Sequence, residues 1–233
     1  MRAHSANYHA IGYKSFPFCE DLVLKPLLFA ALLALPVVSD ASAPKNPAPF
    51  GDSAPTATLT PGDAVPNFSL TNVDGTTVNL TDLRGKVVVL EFFNPDCPFI
   101  VHGHGEGPLA TLPSKWTKKG VEWLVINSNR PGSQGAGVER NQRAKAEYKL
   151  PTPVFWDETS AVARAFDAKV TPELFILDPK GQLAYAGGPD NAPRGKAPDN
   201  KLRIFADEVL EAMTAGKPAP YTRQKAYGCS VKY

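Results

Sequence analysis

The sequence predicts an α/β domain: a mixed sheet flanked by helices on both faces, with an N-terminal β-hairpin extension. Three observations predict it. Unbroken apolar runs at Val87–Phe93 and Val121–Asn127 read as strands buried on both faces. Helical segments alternate with them, at Val138–Tyr148, Thr159–Phe166 and Lys201–Ala215. Two turn signals, Asp74-Gly75 and Asp178-Pro-Lys-Gly181, each sit between short alternating stretches and read as hairpins.

In chain order, Asn67–Leu70 and Thr76–Leu80 form the first hairpin, and Thr81–Lys86 a short turn. Val87–Phe93 is the first core strand. It ends in Asn94-Pro-Asp96, a breaker, followed by Cys97-Pro98. Proline is favoured at the first helical position, so Cys97 is expected where a central strand hands over to a helix. The next segment, His102-Gly-His-Gly-Glu-Gly107, contains three glycines, each costing roughly 1 kcal/mol in a helix interior. The segment is therefore expected to be irregular, with firm helix only at Leu109–Lys119. Val154–Trp156 is a short strand, Thr159–Phe166 a helix capped by Asp157 or Thr159. Glu173–Leu177 and Leu183–Ala186 make the second hairpin.

The chain has 233 residues, 43% of them hydrophobic, and a well-mixed net charge of +2, which excludes a large basic field for nucleic acid. Domain organisation is read as a leader at 1–43, a Pro/Ala/Thr/Ser-rich flexible linker at 44–64, a domain at 65–215 and a polar tail at 216–233. Leu27–Val38 is an apolar stretch of signal-peptide length behind Lys25, with small residues after it. Cutting before Ser42 is preferred over cutting after Ala43, since Pro44 would follow that cut. Translation is expected to begin near Leu22–Leu24. Export to a secreted or periplasmic location, without stable membrane insertion after cleavage, is the expectation; an anchor that stays attached is the alternative. Cleavage removes Cys19 and leaves Cys97 and Cys229, in a compartment that permits a disulfide.

Chemistry at sulfur follows from the placement of Cys97. A free thiol titrates near ~8.5, and the N–H groups and dipole of a helix start lower it, to roughly 3.5–7.5 in reactive cases. Glu91 lies in the most apolar strand, on the same pleat parity as Cys97. A carboxylate there is costly unless paired, hydrogen-bonded or protonated, which makes it a candidate proton relay; the alternative is an edge or water-lined carboxylate with a structural partner. Asp96, beside the sulfur, opposes its ionisation. Arg130, Arg140 and Arg143 are candidates for a compensating charge. Thr171-Pro172, ahead of a core strand, forms a bend opposite the cysteine if its peptide bond is cis. Trp116, Trp123 and Trp156 read as packing residues.

The strand–Cys–Pro–helix, the acid six positions upstream and the Thr-Pro before the hairpin resemble the thioredoxin fold. Asn67-Phe-Ser-Leu, Leu83-Arg-Gly-Lys86, Asn94-x-x-Cys-Pro-Phe99, Val125-Ile-Asn-Ser-Asn129 and Gly228-Cys-Ser230 resemble a peroxiredoxin-like subfamily of its redoxin branch. The resemblance implies a thiol-based oxidoreductase that needs no cofactor, with Cys97 as nucleophile and Glu91 handling protons. Pro98, Thr171 and Pro172 are expected to shape a substrate groove. Cys229, on a tail too polar to pack well, reads as a resolving thiol; a static disulfide or a lone surface thiol is the alternative. The implied partners are a thiol/disulfide protein or a small peroxide. Two departures favour disulfide exchange with Cys229 over the other options. Ile100 stands where thioredoxins carry their second cysteine, and Leu90 and Asn94 replace the Pro and Thr/Ser of the peroxide-binding frame. No metal is called for; the alternative is a copper or zinc carrier using Cys97, His102 and His104, whose histidines otherwise read as solvent-exposed. A redoxin scaffold without catalysis is the third possibility.

Overall fold

The computed structural model describes residues 49–50 and 58–233. The leader and its cleavage site lie outside them. Two short strands, β1 (Ser69–Thr71) and β2 (Thr77–Asn79), pair as the expected hairpin. Five further strands make the central sheet: β3 (Val88–Phe92), β4 (Glu122–Asn127), β5 (Val154–Trp156), β7 (Glu173–Leu177) and β8 (Leu183–Gly187). Their order is β5-β4-β3-β7-β8, with β3, β4 and β5 parallel and β7 and β8 antiparallel. This is a thioredoxin-like sheet with one extra strand, β5, on the parallel edge.

The helices are α1 (Pro98–Gly105), α2 (Leu112–Thr117), α3 (Val138–Glu147), α4 (Ala161–Phe166) and α5 (Phe205–Thr214). Strand alternation sorts β3 between two cores. Val88, Leu90 and Phe92 face α4 and the N-terminal segment, in a cluster with Phe68, Phe166 and Phe175. Val89, and Phe93 just past the end of β3, face the other layer, with Ile100, Trp116, Trp123 and Leu210. Burying a large apolar side chain contributes roughly 1.5–3 kcal/mol, so these two layers carry most of the stability. Lys115 Nζ and Trp116 Nε1 both donate to Asp207 Oδ1, at 2.6 and 2.8 Å, tying α2 to α5.

Three expectations are corrected. The glycine-bearing stretch after Cys97 is helical: α1 runs through it to Gly105. Its glycines are used for packing, since a Cβ on Gly103 would meet Leu109 at 3.1 Å and one on Gly107 would meet the Gly103 backbone at 2.9 Å. Close approach of the following turn thus outweighs weak propensity. The described part of the linker, 58–64, packs on the domain: Leu59 is buried, and Gly62 N donates to the Leu183 carbonyl at 2.7 Å. The last helix starts at Phe205, and α4 starts two residues late, behind Ser160 at φ 56°.

The tail also packs. Ala186 N donates to the Thr222 carbonyl at 3.0 Å and Gln224 N to the Ala186 carbonyl at 3.1 Å, covering the open edge of β8. The opposite edge is covered by the hairpin, where Val73 N donates to the Val154 carbonyl at 2.8 Å. Further on, β9 (Cys229–Ser230) pairs antiparallel with β6 (Val170–Thr171). Aromatic anchors and unpaired backbone edges make up for the tail's polarity. Tyr221 packs edge-on against Phe205 with ring centroids 5.7 Å apart.

The tail's seat depends on Gly187, at φ 151°, where a Cβ would stand 2.2 Å from the Gln224 carbonyl oxygen. We expect Gly187→Ala to cost about 1–3 kcal/mol of stability in urea unfolding, and to open residues 216–233 to limited proteolysis.

Candidate active site

Cys97 is the N-cap residue of α1, with Pro98 at the first helical position. The turn that delivers it is built by Asn94, whose carbonyl accepts Cys97 N–H at 3.0 Å and whose Oδ1 accepts Asp96 N–H at 3.0 Å. A neighbouring loop closes on this turn at Gly135, where a Cβ would lie 2.1 Å from Asn94 Oδ1.

The Thr171–Pro172 peptide bond is cis. Thr171 faces the cysteine, and the Cys97 thiol donates to its carbonyl at 3.1 Å. Thr171 Oγ1 is buried and makes no hydrogen bond. In the register of β6 with β9, Thr171 stands opposite Cys229. The structure thus brings together Cys97, Thr171 and Cys229, residues separated by up to 132 positions (97 to 229). Both cysteines are free thiols, with Cys97 buried and Cys229 partly exposed.

The two sulfurs ionise differently. Burial opposes ionisation of Cys97, but the Cys229 thiol, the Thr171 hydroxyl (unpartnered beside the protonated thiol) and the Ile100 and Cys229 N–H groups, as donors to its thiolate, outweigh it and hold the thiol below its ordinary range. Burial, then the hydrogen bond to Cys97 and that sulfur's charge, push Cys229 up to about 11. Both sulfurs lean on the start of α1: Ile100 N–H serves Cys97 and Phe99 N–H serves Cys229. Among the three arginines, Arg140 neutralises Asp96, with Nη2 2.7 Å and Nε 2.9 Å from Oδ1. Arg130 instead donates to the Tyr233 carbonyl at 2.6 Å.

Other site expectations come out differently. Cys97 is only 1% exposed, and no open groove remains at Thr171 and Pro172, because β9 lies across Thr171. Pro98 is exposed beside them. Glu91 is fully buried, but its hydrogen bonds run away from the sulfur. Oε1 lies 2.6 Å from His104 Nε2, and Oε2 accepts the Trp123 indole N–H at 2.8 Å. No hydrogen bond joins Glu91 to Cys97, so the expected relay has no direct path. His104 is therefore a buried partner of Glu91 and not a surface residue, and Trp123 is a donor as well as a packing residue. The metal alternative of Cys97, His102 and His104 fails: among the described residues no three His, Cys, Asp or Glu side chains are grouped to hold an ion.

Sequence reasoning missed the tail's anchors. Asn129, in the Val-Ile-Asn-Ser-Asn motif, accepts Lys232 N–H on Oδ1 at 3.2 Å, and Arg130 N donates to the Lys232 carbonyl at 2.8 Å. The tyrosines spaced along the tail, Tyr221, Tyr227 and Tyr233, were the available signal.

A helix-start cysteine held below its ordinary range, against a cis-proline loop and a second thiol, defines the class: thiol oxidoreductases on a thioredoxin-like fold. The profile of the AhpC/TSA family matches residues 61–186, more than half of the chain, and the chain belongs to that family. The chain is similar to the thiol-disulfide oxidoreductase ResA of Halalkalibacterium halodurans, 27% identical over 130 residues, covering 54% of this chain and 69% of that protein. It is similar to chloroplastic peroxiredoxin Q of Triticum aestivum, 27% identical over 190 residues, covering 73% and 80%. Among solved structures, an uncharacterized conserved protein from Geobacillus kaustophilus aligns with TM-score 0.66 at 32% identity, covering 76% of this chain and 93% of that one. A hypothetical protein from Sinorhizobium meliloti aligns at 0.67 with 25% identity, covering 76% and 96%.

Two expectations follow from the electrostatics. Iodoacetamide labelling, mapped by mass spectrometry, should give Cys97 a midpoint below the ~8.5 of a free thiol, with Cys229 reacting only at more alkaline pH. The reverse order would refute the assignment of roles. His104→Ala should leave Glu91 Oε1 buried without its partner and cost roughly 3–5 kcal/mol in urea unfolding.

Proposed function

We propose that this protein is an exported thiol oxidoreductase that exchanges disulfides through Cys97 and resolves them with Cys229. The observation that carries this reading is the register that sets Cys229 opposite Thr171, the residue whose carbonyl accepts the Cys97 thiol at 3.1 Å. Cys97 has the lower pKa of the pair and is the nucleophile. Its thiolate attacks one sulfur of a substrate disulfide; the substrate's S–S bond breaks, its other sulfur leaves as a thiolate, and a mixed disulfide forms on Cys97. Cys229 then attacks the Cys97 sulfur. The Cys97–Cys229 disulfide forms, the substrate sulfur departs, and the proton of Cys229 passes to it. A dithiol donor returns the two electrons.

Thr171 supports the first step. Its idle buried hydroxyl is placed to donate to the sulfur once the thiol proton, now given to the Thr171 carbonyl, is lost. The apolar run at 27–38 supports export, and thiol or disulfide proteins are the partners this chemistry requires.

A second reading, thiol peroxidase, is favoured by the near-complete burial of Cys97, which suits a small oxidant better than a protein disulfide. In that case the Cys97 thiolate attacks a peroxide oxygen, the O–O bond breaks, the other oxygen leaves as water or an alcohol after taking a proton from solvent, and a sulfenic acid forms. Cys229 condenses with it and water leaves.

A peptide disulfide offered to the Cys229→Ser variant should remain trapped on Cys97, whereas the wild type should release it and form the Cys97–Cys229 disulfide. Activity surviving in Cys97→Ser would refute both readings. Consumption of hydrogen peroxide faster than exchange with the peptide would put the second reading first.

A further inference from the structure

The resolving thiol is pinned on both sides. Two residues before it, Tyr227 donates its hydroxyl to Asp190 Oδ1 at 2.8 Å. Asp190 is 2% exposed, and the same oxygen accepts Ala192 N–H at 2.6 Å. The Tyr227 ring packs on Phe99 with centroids 5.9 Å apart. Four residues after Cys229, Tyr233 donates its hydroxyl to the Ala168 carbonyl, and Arg164 lies over its ring at 4.5 Å. The Tyr233 carbonyl accepts from Arg130.

Between these posts the chain lies tight on the cysteine loop. Val231 N donates to the Lys169 carbonyl at 3.0 Å. Gly228, at φ 142°, passes so close that a Cβ would stand 2.0 Å from the Thr171 carbonyl oxygen. The segment thus lies along Thr171, whose carbonyl accepts the thiol of the buried Cys97.

We propose that Tyr227 and Tyr233 are positioning residues for the resolving thiol and set the size limit on what reaches Cys97. This rests on Cys97 as nucleophile and Cys229 as resolver. With both tyrosines anchored, Cys229 stays on Cys97 at high effective concentration, and oxidants of peroxide size are admitted. A disulfide carried on a protein reaches Cys97 only when one anchor lets go and the strap lifts. After attack, re-anchoring returns Cys229 to the mixed disulfide. Its sulfur bonds to Cys97, the substrate sulfur leaves, and the Cys229 proton goes to that sulfur. Neither phenol touches a reacting sulfur, so their effect is on access and placement.

The test uses the full chain with Tyr227→Phe, Tyr233→Phe and the double variant, which keep the rings and remove the hydroxyls. Two reagents are compared on reduced protein: iodoacetamide and a maleimide carrying a long polyethylene glycol chain, each mapped to Cys97. The bulky reagent should react roughly three- to tenfold faster for each hydrogen bond lost, the factors multiplying in the double variant, with little change for iodoacetamide. The glutathione concentration that opens the Cys97–Cys229 disulfide should fall by a similar factor. Equal acceleration of both reagents, in step with lost stability in urea, would make the tyrosines merely structural and overturn the proposal, as would no change with either reagent. Failure of Cys97 to react even with iodoacetamide in wild type would remove the nucleophile itself, and this proposal with it.

Discussion

Two residue pairs of antiparallel ladder decide what this molecule can do. The pairing of Val170–Thr171 with Cys229–Ser230 places the second thiol opposite the residue whose carbonyl holds the first. A slip of one residue would turn Cys229 to the other side of the strand, because side chains alternate with a period of two. The short ladder has little stability of its own, so its register comes from outside. The Tyr227–Asp190 contact, the Lys232 contacts to Asn129 and Arg130, and the close passage of Gly228 set it.

The electrostatic asymmetry follows from that placement. A helix start has several unpaired N–H groups, and here they are divided between two sulfurs. The division is unequal because Cys97 also receives the N–H and thiol of Cys229, while Cys229 faces the charge that develops on Cys97. One thiol is held down and the other pushed up by the same contact. Under the function proposed above, a Cys229 that stays protonated would not compete for the substrate and would bring the proton that the departing sulfur needs. Asp96 could have undone this arrangement, but the bidentate contact with Arg140 cancels its charge.

Much of this was legible in the sequence. The continuous apolar runs of β3 and β4, the Asp-Gly and Asp-Pro-Lys-Gly turns and the Cys-Pro pair are local signals, and the structure places each where local physics puts it. The failures are non-local. Helix α1 forms through poor helix formers because Gly103 and Gly107 let the next turn approach, a gain that no propensity contains. Strand β9 has two residues and therefore no periodicity to detect. The burial of His104 depends on Glu91 facing it from a strand thirteen residues earlier, and the sequence offers a structural partner for Glu91 without naming which residue it is.

That buried pair has a different consequence for the site. A buried carboxyl group is costly unless its oxygens find partners. Both oxygens of Glu91 have one, from two elements: Oε1 pairs with His104 Nε2 on α1, and Oε2 accepts the Trp123 indole N–H on β4. Glu91 thereby ties the helix that begins at Cys97 to the centre of the sheet. The His104 ring is further boxed by Phe93 and Tyr148, at centroid distances of 5.7 and 5.6 Å, and the Tyr148 hydroxyl donates to the Pro95 carbonyl at 2.7 Å. The chain of contacts therefore runs from the carboxylate through the imidazole and the phenol to the turn that carries the cysteine. Glu91 is thus joined to the helix and the turn that carry the sulfur by packing and hydrogen bonds, while no hydrogen bond joins it to the sulfur itself.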